Sequence, residues 1–186
     1  MTNLVIEPYI ETVSGVKFEF LDPLPHMINI EDIAHALSMQ CRYTGHTKWF
    51  YSVAEHAVWV SYLVPKHLML EGLLHDASEA YIADIASPVK QYLSNYKEIE
   101  DKIMKAISEK YGVGHPLNPA VKQADLIMLS TEAYDLLPSQ GASWEMWEYI
   151  KRPDYDDGYP VKGFAPEQAK ELFLDRFKEL YNDVDG

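Results

Sequence analysis

The apolar positions of this chain change period once. Up to residue 20 they alternate, with Val16, Phe18 and Phe20 on one face and Lys17 and Glu19 on the other, after a possible turn at Ser14-Gly15. A period of two marks a half-buried strand, so residues 3–20 read as a small β-hairpin. Asp22-Pro23-Leu24-Pro25 breaks it. From residue 30 the helical period takes over. Asn29 caps a short helix from Ile30 to Met39. Ser52-Val53-Ala54-Glu55 is a capping box, so a helix starts near Val53 and runs to about Val64. Pro65 closes it, and a third helix is predicted from about Lys66 through Tyr81. Asn95-Tyr96-Lys97-Glu98 repeats the capping signature and opens a long helix to about Tyr111, followed by a loop over residues 112–116. Asn118-Pro119 pairs a cap with proline at the first helical position, and that helix ends before Pro138. Residues 152–164, rich in Pro, Gly and Asp, read as an exposed loop. Pro166 starts a last amphipathic helix with Leu172, Phe173, Phe177 and Leu180 inward. The expected fold is mostly α, a helical bundle with a small N-terminal β-hairpin. We read residues 1–186 as one domain: hairpin and lead-in over 1–28, helical core over 29–138, C-terminal loop and helix over 139–186.

Composition narrows the setting. With 186 residues and 47% apolar content the chain can bury a core without staples. No apolar run reaches the ~18 residues of a membrane span. The start, Met1-Thr2-Asn3-Leu4, has no signal-peptide character, and Cys41 stands alone, which fits a reducing cytoplasm. A net charge of −13 repels polyanions and argues against nucleic-acid polymers or anionic membranes as partners. A small phosphate compound remains compatible, because a metal and a few local cations can hold it.

The candidate chemistry centres on His75-Asp76, which closes the apolar run Met69 to Leu74, together with His56 and Asp125 on other segments. Two imidazoles and two carboxylates suit one divalent ion with positions left open, and Mn, Fe, Co, Ni and Zn all accept such a donor set. Metal-assisted hydrolysis of a phosphate ester is the expected reaction. Neighbours on a straight helix point about 100° apart, so His75 and Asp76 share an ion only between helices or where the helix is distorted. Asp125, a lone carboxylate in an apolar helix, needs a partner: a metal, an Arg or a Lys. Glu79, one turn after His75, stays close enough to move a proton. The planar fork of Arg42 suits a phosphate. His26, His35, His67 and His115 read as surface or structural histidines. The aromatic cluster of Trp144, Met146, Trp147, Tyr149 and Ile150 reads as core or subunit interface.

The order His56, His75-Asp76, Asp125 resembles the HD-domain phosphohydrolase superfamily. Within it, the chain looks like the small bacterial and phage proteins that include 5′-deoxynucleotidases and deoxynucleoside-triphosphate triphosphohydrolases. The likeness runs from about Ile30 to about Glu132, carried by residues 40–46, 51–56 and 75–90. It implies that His56, His75, Asp76 and Asp125 ligate the metal, that Glu79 and Asp84 are catalytic, and that Arg42 faces the substrate phosphate. Relatives often have Trp or Phe where this chain has Tyr43, which offers its face to a sugar or base. His46 and Lys90 are further phosphate contacts. With His115 alone between Asp76 and Asp125, one tightly bound ion is expected, and Mg can arrive with the substrate as a second. The expected function is cleavage of the 5′-phosphate ester of (deoxy)nucleotides, from a monophosphate or from a triphosphate such as dATP. The alternatives are a cyclic-nucleotide phosphodiesterase and a non-catalytic nucleotide sensor whose metal is structural. The resemblance also implies a homo-oligomer, at least a dimer; the expected location, from Cys41 and the N-terminus, is the cytoplasm (that of the host if phage-encoded).

Overall fold

The computed structural model describes residues 8–142 and 161–182. The start of the expected hairpin, the Trp144–Ile150 cluster and most of the expected 152–164 loop lie outside the described residues.

The fold is mostly helical with a small antiparallel hairpin at its N-terminal side. Strands β1 (Tyr9–Glu11) and β2 (Lys17–Glu19) pair with Ile10 opposite Phe18. Alternation buries Phe18 completely, and its ring stacks on Tyr81 at 3.8 Å. The buried carboxylate of Asp32 accepts from Ser14 N at 2.8 Å and Ser14 Oγ at 2.7 Å, fastening the hairpin turn to the first helix.

The caps work largely as the sequence implies. Asn29 accepts from Glu31 N at the start of α1 (Ile30–Met39), and Ser52 accepts from Glu55 N at the start of α2 (Val53–Leu63). Asn118 caps the helix that begins at Pro119. Asn95 differs. Its backbone is already turned (φ −102°, ψ −5°), so its side chain makes no capping bond to the helix that follows. Helix α2 is apolar on several faces and sits at the centre, with Val53, Ala54, Ala57, Val58 and Val60 all buried.

One expected helix is broken. In place of a continuous run over 66–81, Lys66–Leu68 forms a 3-10 turn, α3 covers Met69–Leu74 and α4 covers Glu79–Ile82. Between α3 and α4 the bonds become short-range, Ala77 N to Leu74 O at 3.0 Å and Glu79 N to Asp76 O at 3.0 Å. The tighter winding turns a corner at His75-Asp76 and so removes the divergence that a straight helix would impose. Gly72 lets α3 press against α2, since a Cβ there would lie 3.1 Å from Val64 Cγ2 and 3.2 Å from Ser61 Cα.

Helices α5 (Ser87–Lys90), α6 (Tyr96–Tyr111), α7 (Pro119–Leu136) and α8 (Pro166–Asn182) complete the described α-helices. Gly112 ends α6 in the left-handed region at φ 70°. Phe173, Phe177 and Leu180 of α8 are buried and Leu172 is half-buried against the same core, which includes Ile33, Leu37, Leu73, Ile103 and Ile107. The described end of the expected 152–164 loop is not exposed throughout. Val161 is buried, and the backbone N–H groups of Lys162 and Phe164 donate to the buried carboxylate of Glu55 at 3.0 Å each, with Gly163 N at 3.3 Å. A buried charge that needs donors draws this segment onto α2. Among the described residues, no helix is long and apolar enough to cross a membrane.

Candidate metal centre

The centre forms where three segments meet: the first turn of α2, the corner after α3, and α7. His56 is fully buried and His75 nearly so. Their Nε2 atoms stand 3.3 Å apart. Asp125 Oδ1 lies 3.4 Å from His56 Nε2 and 4.0 Å from His75 Nε2. Asp76 Oδ2 lies 3.6 Å from His56 Nε2 and 3.2 Å from His75 Nε2. The second oxygen of Asp125 takes a salt bridge from Lys122 at 2.7 Å. The carboxylate thus has two partners, one on each oxygen.

Two tests ask whether these residues suit a metal. The first is spacing. Donors ~2.1 Å from one ion stand about 3–4 Å apart in tetrahedral or octahedral arrangements, and the distances above fall in that span. One donor atom each from His56, His75 and Asp125 lie within 4.8 Å of one another. The second is proton accounting. His56 Nδ1 lies 2.6 Å from Glu132 Oε1, and His75 Nδ1 lies 2.8 Å from the Gly72 carbonyl oxygen. Both partners are acceptors, so both imidazoles hold a proton on Nδ1, and in the neutral form each turns an Nε2 lone pair inward. Two lone pairs and two carboxylate oxygens then converge, a set that a cation satisfies.

Without an ion, a second proton on His56 supplies the positive charge that the carboxylates favour, and a metal would displace it. Burial and the Arg42 charge oppose a proton on His56, but Glu132 and the hydrogen bond to Asp125 outweigh them and push its pKa up to about 9. Burial also opposes charge on Asp125, yet its hydrogen bond to His56 and the nearby His75 hold it well below the usual carboxylate range. Asp76 is held low in the same way, chiefly by His75 working against burial. The pocket therefore favours two carboxylates with positive charge between them.

Glu132 organises the surroundings, and the sequence reading missed it. It is fully buried, seven residues beyond Asp125 and so on the same face of α7. Its Oε1 accepts from His56 Nδ1 at 2.6 Å and Tyr51 OH at 2.9 Å; its Oε2 accepts from Arg42 Nε at 3.1 Å and Tyr43 OH at 3.2 Å. The Arg42 and His56 charges, against burial, keep it ionised. A second carboxylate two turns past Asp125 in an apolar helix was the available signal.

Beside the centre opens a cleft of about 550 Å³, lined by Arg42, Tyr43, His46 and Asp84, with Leu129, Leu137 and Pro88 supplying apolar wall. Arg42 reaches both regions: its Nη1 stands 3.6 Å from Asp76 Oδ2. Glu79 is almost fully buried. Its Oε1 is salt-bridged to Lys90 at 3.1 Å, and its Oε2 has no hydrogen-bond partner. Burial, with Asp76 and Asp84, pushes the Glu79 carboxyl up to about 9, against Lys90 and Arg42. Asp84 is raised too, mainly by burial. Lys90 is shared between Glu79 and Glu100, at 3.1 and 3.0 Å, and is not among the residues lining the cleft. His115 pairs with Asp101 at 3.2 Å.

Fold and cluster together define a mostly helical protein with a buried histidine–aspartate group that can hold a metal ion. No family model matches the chain. It is 44% identical over 172 residues to the uncharacterized protein YfdR of Escherichia coli (strain K12), covering 92% of this chain and 95% of that protein. It is 30% identical over 188 residues to the uncharacterized protein RCAP_rcc00048 of Rhodobacter capsulatus, covering 94% and 96%. The chain belongs to the family of these two proteins.

Proposed function

We propose that this protein is an HD-type, metal-dependent phosphohydrolase that cleaves the 5′-phosphate ester of (deoxy)nucleotides. The observation that carries the reading is the convergence of His56, His75, Asp125 and Asp76, with both Nδ1 protons turned outward, next to a cleft that presents an arginine.

His56, His75, Asp76 and Asp125 would hold a divalent transition ion, Mn, Fe, Co, Ni or Zn, and Mg can accompany the substrate. Such an ion supplies Lewis-acid polarisation of a phosphoryl oxygen and activation of water. The chain's own residues do the rest. Arg42 commits its Nε to Glu132 and pairs through Nη1 with Asp76, so its guanidinium links the metal donors to the cleft it lines, where it would offset growing charge on phosphoryl oxygens. Burial and two carboxylate neighbours push the Glu79 carboxyl upward, against Lys90, and so favour a proton there. Glu79 is suited to donate that proton to the leaving 5′-oxygen. Asp84 and His46 face the same cleft and orient the substrate, while Tyr43 and Leu129 offer surface to sugar and base.

A screen of phosphate and triphosphate release tests this reading. It covers nucleoside and deoxynucleoside mono-, tri- and cyclic phosphates, with Mn, Co, Ni, Zn and Mg in turn and a chelator control. Turnover that depends on metal and is abolished in His75→Ala supports the reading. Turnover in His75→Ala equal to the parent, or none on any nucleotide with any metal, overturns it.

A further inference from the structure

Glu79 and Asp84, the two carboxylates assigned to protons and substrate, sit at opposite ends of one short segment. That segment contains an unusual backbone. Ala83 has φ 67° and ψ 154°, a combination that a residue with a Cβ rarely adopts. Such a conformation persists only when its surroundings over-determine it.

Gln40 supplies that determination. It follows the last residue of α1, and its side-chain amide reaches across to both ends of the segment. Nε2 donates to the Glu79 carbonyl at 3.0 Å and to the Ala36 carbonyl at 3.2 Å. Oε1 accepts from Asp84 N at 2.8 Å. The main-chain carbonyl of Gln40 accepts from Val53 N at 3.1 Å, so the same residue is anchored to the start of the helix that carries His56. From the far side, Tyr96 OH donates to the Ala83 carbonyl at 3.2 Å. Every acceptor and donor of the Gln40 amide that the segment needs is in use. The conformation from Glu79 to Asp84 is thereby held by residues outside the segment.

We propose that Gln40 is a positioning residue: its amide clamps the Glu79–Asp84 segment so that Asp84 faces the cleft while Glu79 stays buried beside the metal centre. This rests on the phosphohydrolase reading above. Gln40 is neither one of the metal donors nor a lining residue of the cleft, which it reaches through the main chain of Asp84. Its loss therefore affects the timing of proton and substrate handling rather than metal uptake.

The test compares the full-length parent with Gln40→Met, which keeps volume and removes the amide, and Gln40→Glu, which keeps the acceptor for Asp84 N and loses both donations. Three quantities are read: the Mn²⁺ dissociation constant by calorimetry, kcat and KM on dAMP and dATP with Mn²⁺, and hydrogen exchange of the Asp84 amide. Gln40→Met is expected to leave Mn²⁺ affinity and KM in place, to lose roughly ten- to a hundredfold in kcat, and to expose the Asp84 amide to fast exchange. Gln40→Glu is expected to keep that amide protected with a smaller loss in kcat. If Gln40→Met does not fold, the Gln40→Glu result decides. Parental kcat in the folded variant, or equal losses of Mn²⁺ affinity and kcat, overturns the clamp while the phosphohydrolase reading stands. A parent that turns over no nucleotide with any metal of the screen overturns both.

Discussion

Glu132 sets the character of the site from one shell out. A carboxylate facing His56 Nδ1 fixes the proton on that nitrogen and makes Nε2 a better donor, while its other oxygen holds Arg42 flat. Glu132→Gln is therefore expected to weaken Mn²⁺ binding by about 10- to 100-fold, measured by calorimetry on chelator-stripped protein. Unchanged affinity in a folded variant would remove Glu132 from the metal site. Glu79 gives a pH signature. Its carboxyl sits at about 9 in the fold against an ordinary 4.5, chiefly through burial. The native state thus holds that proton more tightly than the unfolded chain does, and the resulting stability is full below about 4.5 and lost as pH rises through 9. In metal-free protein, urea unfolding should show the parent losing stability relative to Glu79→Gln over that window; a constant difference would refute the buried acid. The sequence brought out His56, His75 and Asp125, whose donor atoms the fold gathers within 4.8 Å, because motif spacing survives in one dimension. It hid Glu132 and Gln40, whose partners lie dozens of residues away and whose residue types are common on helices.

Helix ends were legible wherever a local signal decides them. Ser52 and Asn118 cap as their side chains dictate, and Gly112 stops α6. The break between α3 and α4 was not legible, because residues 66–81 keep a helical apolar pattern while tertiary demands turn the corner at His75-Asp76. Beyond that corner, the strain at Ala83 is local and testable. Glycine accepts φ 67° without steric cost, although it also loosens the unfolded chain. Relief of about 1–3 kcal/mol against an entropic penalty of about 0.4–1 kcal/mol leaves Ala83→Gly more stable by roughly 1 kcal/mol. Denaturant midpoints would show it. A destabilised glycine variant would mean that the methyl group contributes packing that outweighs the strain.

At the scale of the molecule, the centre joins α2, the corner after α3, and α7, three segments that the rest of the chain separates. An ion bound there stabilises the whole fold by mass action, about 2.7 kcal/mol at a hundred times its dissociation constant. For a chain of this size the melting temperature should rise by about 5–10 °C with saturating Mn²⁺ and fall back with chelator. No shift in a scanning-fluorimetry titration would count against the centre as a metal site. Under the proposed function, the net charge of −13 would disfavour a polyanion, and Arg42 in the cleft would be the local contact for a small phosphate.

The Glu55 contacts reach further than their size suggests. Glu55 directly precedes His56, and its charge is met by N–H groups of residues 162–164, just ahead of α8. Cutting the chain after α7 would strip those donors, bare the side of α2 that Phe173 and Phe177 cover, and leave an uncompensated anion beside a metal ligand. The histidine–aspartate motif, although it ends at Asp125, is therefore not a portable module: a fragment that carries it must include residues 162–164 and the C-terminal helix.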